Sequence, residues 1–261
     1  MPVINTNISA TLTANALTKN ERAMSQSMER LSTGLRINSA ADDAAGLAIS
    51  SKMTSQINGL NQAVRNANDA ISMIQTADGA LVEVTNMLQR MRELSVQAAN
   101  GTNAAADQQN LNVEFTALKA GIDAIASNTQ WNGMAVLAGG TAEVAVTRAF
   151  QVGANSEQMS VIFADFNTDD GATTGKSDGG PLADLDIDGT PANNVDLASL
   201  VLYDSASAAA TATAIAKSQN ALDSALGNIN SERAKFGAAI NRLEYTVDNL
   251  TNASQNQSAS R

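Results

Sequence analysis

The run Asp184-Leu185-Asp186-Ile187-Asp188-Gly189 is the stretch whose spacing most resembles a ligand set. Carboxylates at alternate positions followed by a glycine match the opening of a calcium loop, D-x-D-x-D-G, where hard oxygen donors surround the ion and the glycine makes the turn. The twelfth position, which should hold a bidentate acid, is Val195, and Asp196 falls one place late. Leu185 and Ile187 equally suit a strand edge with outward acids, so Asp184, Asp186 and Asp188 are a metal candidate beside that alternative. Asp165, Asn167, Asp169 and Asp170 form a second acidic cluster with the pattern of a solvated loop. For bond chemistry the inventory is poor. The chain has no histidine and no cysteine, which removes the commonest general base, the commonest metal ligand, thiolate chemistry and disulfides. Acid pairs are common among 26 Asp and Glu, and none stands apart, so no catalytic residue and no cofactor is assigned.

The balance of charge narrows the partners. Sixteen Lys and Arg against 26 acids give a net charge of −10. Phosphate contacts need clustered cations, so nucleic acid is a poor partner. A membrane-surface helix needs a basic stripe, which is missing. No apolar run approaches the roughly 20 residues that span a bilayer, and the N-terminus lacks the charged start and apolar core of a secretory signal. The expectation is a protein of the cytoplasm, or one exported without a cleaved signal. Hydrophobic residues make up 44% but aromatics only 3%. Alanine supplies much of that apolar count, which points to thin seams between closely approaching helices.

The helices that would carry these residues are long. From Asp43 to about Asn100 there is no proline, and Met53, Ile57, Leu60, Val64, Ala67, Ile71 and Ile74 are spaced 4, 3, 4, 3, 4, 3. That alternation draws one apolar stripe along a helix. The stripe is predicted to slip between Ile74 and Ala77 and to resume through Leu81, Val84, Leu88 and Met91, a local change of supercoil. At about 1.5 Å per residue the helix would measure roughly 80–90 Å. Ordinary globular helices average about 11–12 residues, so this length suits a rod or an assembly subunit. Before it, Ile4, Ile8, Leu12, Leu17, Met24, Met28, Leu31 and Leu35 mark a looser amphipathic arm. Asn38, Ser39, Asp42 and Asp43 follow as a polar joint with N-cap chemistry. Beyond Asn100-Gly101, Asn103 is expected to cap a helix to about Ser127 whose seam is Leu111, Phe115, Leu118, Ile122 and Ile125. The short turn makes it an antiparallel neighbour of the long helix.

From Asn128 to Val201 the pattern changes. Asn132-Gly133 signals a turn; Val144, Val146, Phe150 and Val152 sit among alternating residues and Ser160-Val161-Ile162-Phe163 is a further β-prone run, together read as a small antiparallel hairpin unit. Residues 165–196 should be exposed loops with little buried surface. Helical spacing returns from Ser205 through Ile215, Leu222, Leu226 and Ile229, then Phe236, Ile240, Leu243, Val247 and Leu250, with Arg233 in the seam between the groups. The expected fold is mainly α: an elongated antiparallel helical bundle or coiled coil with a small β-hairpin unit and short outer loops. Its expected domains are a terminal arm (1–43), a discontinuous rod (44–135 with 201–261) and a hairpin unit with an outward insert (136–200).

The run from Leu31 to Gly46, LSTGLRINSAADDAAG, resembles the joint segment of bacterial flagellins. Ile4-Asn5-Thr6-Asn7, the stretch Leu88 to Gln97, Phe150 to Ala154, and Asn241-Arg242-Leu243-Glu244 with Asn249-Leu250 resemble further segments of that family, in its order. The match covers about residues 1–165 and 205–261. The resemblance implies a structural subunit, not an enzyme, that assembles with copies of itself into the extracellular flagellar filament for motility. It also implies passage through the flagellar export apparatus without a cleaved signal peptide, and contact with junction and cap proteins. Arg36, Asn38, Asp42 and Asp43 would form the joint. Arg90, Leu94 and Glu114 match positions through which innate immune receptors recognise family members and which take part in filament contacts. Arg90 and Leu94, four apart, share a helix face. Serines and threonines within 168–178 are glycan candidates by the same likeness. Family members continue past the segment matching Ser254–Arg261, so a second core helix is expected to be missing here and a normal filament is not expected from this chain alone. The alternative reading is a cell-surface adhesin or polysaccharide binder acting through 136–200.

Overall fold

The computed structural model describes residues 7–138, 146–164, 166, 182, 197–203 and 207–261. Among these, four helices and two small antiparallel sheets occur: α1 (Ile8–Thr33), α2 (Ala44–Ala98), α3 (Ala105–Asn128), the pair β1 (Gln130–Trp131) and β2 (Met134–Ala135), the pair β3 (Val146–Gln151) and β4 (Gln158–Phe163), and α4 (Ala208–Ser260). The fold is mainly α, as expected. The chain divides into two compact units, Met1–Gly59 with Ala253–Arg261, and Leu60–Asn252.

The larger unit holds the main core. Along α2, Ala63, Ala67, Ala70, Ile74, Ala77, Leu81, Val84, Leu88 and Met91 are buried. The spacing from Ala63 alternates 4 and 3 throughout. The predicted slip at Ile74 is therefore absent; it lies upstream, at Ile57, Leu60 and Ala63. Alanines hold the centre of the seam because they let helices approach closely, and the β-branched Val64 and Ile71 sit half-buried at its flanks. Ser95 continues the seam, its buried hydroxyl donating to the Arg92 carbonyl at 2.7 Å.

The helix pairs are antiparallel. Arg90 meets Glu114 and Gln108 meets the Ala98 carbonyl between α2 and α3, while Arg92 meets Asp223 and Arg233 meets Asp78 between α2 and α4. Arg233 is half-exposed beside the seam, and Glu232 holds the seam position with Lys235 on its carboxylate. The turn before α3 also differs from expectation. Asn103 donates its side-chain amide to the Gln97 carbonyl at 2.6 Å, closing the end of α2; Ala104 takes the N-cap position without a side-chain cap, and Asp107 accepts the Ala104 N–H at 3.1 Å.

Asn132 and Gly133 both adopt positive φ, 49° and 76°, as the two-residue turn joining β1 to β2 requires. In the second hairpin Val146 faces Phe163 and Gln151 faces Gln158. Met159, Val161 and Phe163 turn inward and alternate with exposed residues, and the Asn66 side chain donates to the Gln151 carbonyl at 3.0 Å. The stretch expected to bury little contributes two fully buried side chains, Phe166 and Leu182. Their backbones are tied by Phe166 N–H to the Leu137 carbonyl and Leu197 N–H to the Leu182 carbonyl. Leu197, Leu200 and Leu202 are buried beside them. Lys119 donates to the Leu200 carbonyl at 2.9 Å and Leu202 N–H donates to Asn112 at 2.8 Å, fixing this strap to α3. Burial lowers the Lys119 pKa, and Asp123 opposes that shift.

Candidate functional site

No described helix is long and apolar enough to cross a membrane, and no described group of three or more acids has the arrangement of a metal site. Asp184, Asp186 and Asp188 lie outside the described residues, as do Asp165, Asn167, Asp169 and Asp170. The remaining candidates are surfaces and the joint that connects them.

The smaller unit begins with α1. Asn7 accepts the Ala10 N–H at 3.2 Å as N-cap, and Gly34, at φ 69°, ends the helix with its N–H on the Arg30 carbonyl. That left-handed turn explains why glycine stands there. None of the helix is buried. Ile8, Leu12, Leu17, Met24, Met28, Leu31 and the following Leu35 are between 60% and 82% exposed. Leu17, Met24, Met28 and Leu31 fall on one side of the helix at 3.6 residues per turn, and a contiguous apolar stripe in water marks an interaction site.

The joint after α1 is knotted on Asp42. One carboxylate oxygen accepts the N–H groups of Asn38 and Ser39, both at 3.2 Å, and the Ser39 hydroxyl at 3.3 Å. The other accepts the Gln26 side chain at 2.6 Å and lies 3.7 Å from Arg30. Asp42 thus ties α1 to the joint, and its side chain is only 10% exposed. The Gln26 bond first, then the Asn38 and Ser39 amides, hold its pKa below the ordinary value of 3.8. A depressed carboxyl favours the folded joint above the unfolded pKa and loses that contribution as pH falls through the folded one. Amide protection of Asn38 and Ser39 is accordingly expected to persist above pH 3.8 and to collapse on acidification below it. A carboxyl titration of Asp42 at or above 3.8 contradicts this.

Asp43 performs the cap that the sequence suggested, accepting the Gly46 N–H at 2.9 Å at the start of α2. Gly46 is needed there for space. A Cβ would stand 2.6 Å from the Asp43 carboxylate and 2.7 Å from the Ile37 side chain. Gly46→Ala gains up to about 1 kcal/mol of helix propensity but displaces a cap of about 1 kcal/mol and shifts Ile37. The expected net is a loss of up to about 1 kcal/mol in the smaller unit, read by urea unfolding; a clear gain contradicts it. Arg36 is exposed and Asn38 half-buried.

On the larger unit, Arg90 and Glu114 come together. The Arg90 guanidinium donates to Glu114 at 2.8 and 2.9 Å and to Glu93 at 3.1 Å. Glu114, then Glu93, raises its pKa. On the opposite flank Arg92 pairs with Asp223, which raises the Arg92 pKa. Between the two pairs α2 presents Gln89, Glu93, Val96 and Gln97 outward, with Arg92 lining the same open groove of about 610 Å³. Leu94 is placed differently: it is fully buried in the core and supports this face from beneath. Sequence reasoning missed Arg92 with Asp223, although Arg92 stands next to the seam residue Met91 on the side away from Arg90.

Residues 4–142 match the family model described as the bacterial flagellin N-terminal helical region. The chain is 41% identical to the flagellar filament 33 kDa core protein of Treponema phagedenis over 263 residues, covering 98% of this chain and 84% of that one. It is 43% identical to flagellin of Bacillus subtilis (strain 168) over 271 residues, with the same coverage. The fold is similar to the solved structure of a putative flagellar hook-associated protein from Vibrio parahaemolyticus, with a TM-score of 0.66 at 15% identity, covering 85% of this chain and 98% of that one.

Proposed function

This chain belongs to the bacterial flagellins, and we propose from that premise that two of its surfaces make the subunit contacts of the filament. The protein is a structural subunit of the flagellar filament, a component of the extracellular flagellum. The adhesin alternative finds no support among these relatives. The family is structural, and we read this member as having no catalytic activity.

The observation that carries the proposal is the exposed apolar face of α1. The side chains of a 26-residue helix with no buried residue add little to the stability of a free chain, since most helical stability in proteins comes from packing. They become useful when a neighbouring copy covers them. The outward face of α2 between Arg90–Glu114 and Arg92–Asp223 is the second contact. Arg90 and Glu114 touch the neighbour and Leu94 keeps the backbone beneath them in place. The joint residues Arg36, Asn38, Asp42 and Asp43 set the direction in which α1 leaves. An innate immune receptor would meet the same Arg90–Glu114 surface. Export through the flagellar apparatus without a cleaved signal, and contact with junction and cap proteins, follow the family's habit.

Arg90→Glu tests the second contact. The ion pairs of Arg90 are half-exposed and screened by water, so the free chain is expected to melt within a degree or two of its parent. Addition to filament seeds, followed by sedimentation, is expected to weaken roughly tenfold, because reversed charge at a contact opposes docking. Unchanged addition by a folded variant removes this face from the interface.

A further inference from the structure

We propose that Asn100 is a site of spontaneous covalent change, converting with time to aspartate and isoaspartate through attack by its own following backbone nitrogen. The sequence holds three Asn-Gly pairs among the described residues: Asn58-Gly59, Asn100-Gly101 and Asn132-Gly133. Glycine after asparagine leaves the backbone nitrogen unhindered, so the fold decides which pair reacts.

Asn100 and Gly101 are both exposed, between the end of α2 and the start of α3. Apart from Gly101 and its two chain neighbours, no heavy atom lies within 4 Å of the place where a Gly101 Cβ would stand; Gly133 is equally open, so the turn conformation is what separates these two pairs. Among the described residues the Gly101 N–H donates no hydrogen bond. The Asn100 side-chain oxygen accepts a long bond from Thr102 N–H, 3.4 Å, which draws electron density from the carbonyl carbon. The other two pairs are restrained. Asn58-Gly59 lies inside α2, where the helix ladder occupies the Gly59 N–H and fixes the backbone. Asn132-Gly133 sits in a two-residue turn held by the pairs Trp131 with Met134 and Gln130 with Ala135.

The chemistry needs only water. The Gly101 nitrogen bonds to the Asn100 side-chain carbonyl carbon, and the carbon–nitrogen bond of the side-chain amide breaks. The proton from Gly101 leaves with that nitrogen as ammonia, and a five-membered imide remains. Water then opens the imide at either carbonyl, giving aspartate or isoaspartate and one added negative charge. That charge falls beside the Gln97 and Ala98 carbonyls, which Asn103 and Gln108 now satisfy at 2.6 and 3.1 Å. Negative charge is unfavourable at a helix C-terminus. Isoaspartate also lengthens the turn closed by Asn103 N–H on the Asn100 carbonyl at 3.1 Å. The α2–α3 turn therefore records the age of the molecule as charge and loosening.

The intact folded chain is incubated at mildly alkaline pH and sampled over time by isoelectric focusing and peptide mapping. The expected result is an acidic shift whose first product maps to Asn100, with both aspartate and isoaspartate present and Asn58 unchanged. In urea Asn58 is expected to react at a rate similar to Asn100, since the restraint is the helix and not the local sequence. Asn100→Gln is expected to lose the early acidic shift. Reaction first at Asn58 or Asn132 in the folded chain, an unreactive Asn100, or an early shift retained by Asn100→Gln overturns the proposal.

Discussion

Changing Met24, Met28 and Leu31 together to glutamine is expected to leave the free chain folded and to abolish its addition to filaments. All three side chains are more than 60% exposed in the single molecule, so they contribute little to its folding. Glutamine and the residues it replaces have similar helix propensity, and the caps at Asn7 and Gly34 are untouched. Covered by a neighbour, each Met or Leu side chain would contribute roughly 1.5–3 kcal/mol. Losing three removes about 5–9 kcal/mol of assembly free energy, which weakens addition by a factor of a thousand or more. Circular dichroism and sedimentation with filament seeds separate the two effects. A variant that still adds normally shows that this face is not a contact.

The second large effect is within the subunit. Phe236 is almost fully buried on α4, and its ring meets that of Phe163 on β4 at 5.4 Å between centroids and 45° between planes. Few aromatics stand in this alanine-rich core, so one ring carries an unusual share of the contact between hairpin and helix. Phe236→Ala is expected to cost about 3–5 kcal/mol. That is a large part of the 5–15 kcal/mol typical of a native domain. Phe236→Leu, which keeps most of the volume, is expected to cost less than about 1.5 kcal/mol. Urea unfolding of the two variants gives the comparison, and equal losses contradict the ring's role.

The helices were legible because hydrophobic period is a property of consecutive residues. Leu81, Val84, Leu88 and Met91 are buried where the spacing put them. Upstream, the larger Val64 and Ile71 draw the expected stripe to themselves, whereas Ala63 and Ala70 hold the buried centre. Close helix packing favours the smaller side chains there. The Asn132-Gly133 turn was legible for a stereochemical reason, since two successive positive φ angles select those residues. Capping was less so. Asn103 has the chemistry to cap α3 but closes α2 instead, a choice set by three-dimensional neighbours.

Contacts between distant segments were not legible. Nothing local to Phe166 or Leu182 indicates the Leu137 and Leu197 backbones that meet them. Lys119 stands beside Leu118 of the α3 seam, and its partner on Leu200 lies 81 residues away, beyond the reach of any local pattern. At the candidate surface, Arg90 and Glu114 form the pair that resemblance brought to notice, whereas burial of Leu94 could not be told from its spacing with Arg90. In the joint, two adjacent aspartates look alike in sequence. Asp43 caps α2 and Asp42 gathers three donors from the joint and one from α1.

Hydrogen exchange along α1 compares the free chain with the chain added to filament seeds. Amides of residues 8–33 are expected to exchange quickly in the free chain, because no packed face holds the helix closed. In the sedimented filament the same amides become strongly protected, while those of residues 60–98 are protected in both states. Sedimented chain whose α1 amides still exchange at the free-chain rate contradicts the claim that this helix is completed by a neighbouring copy.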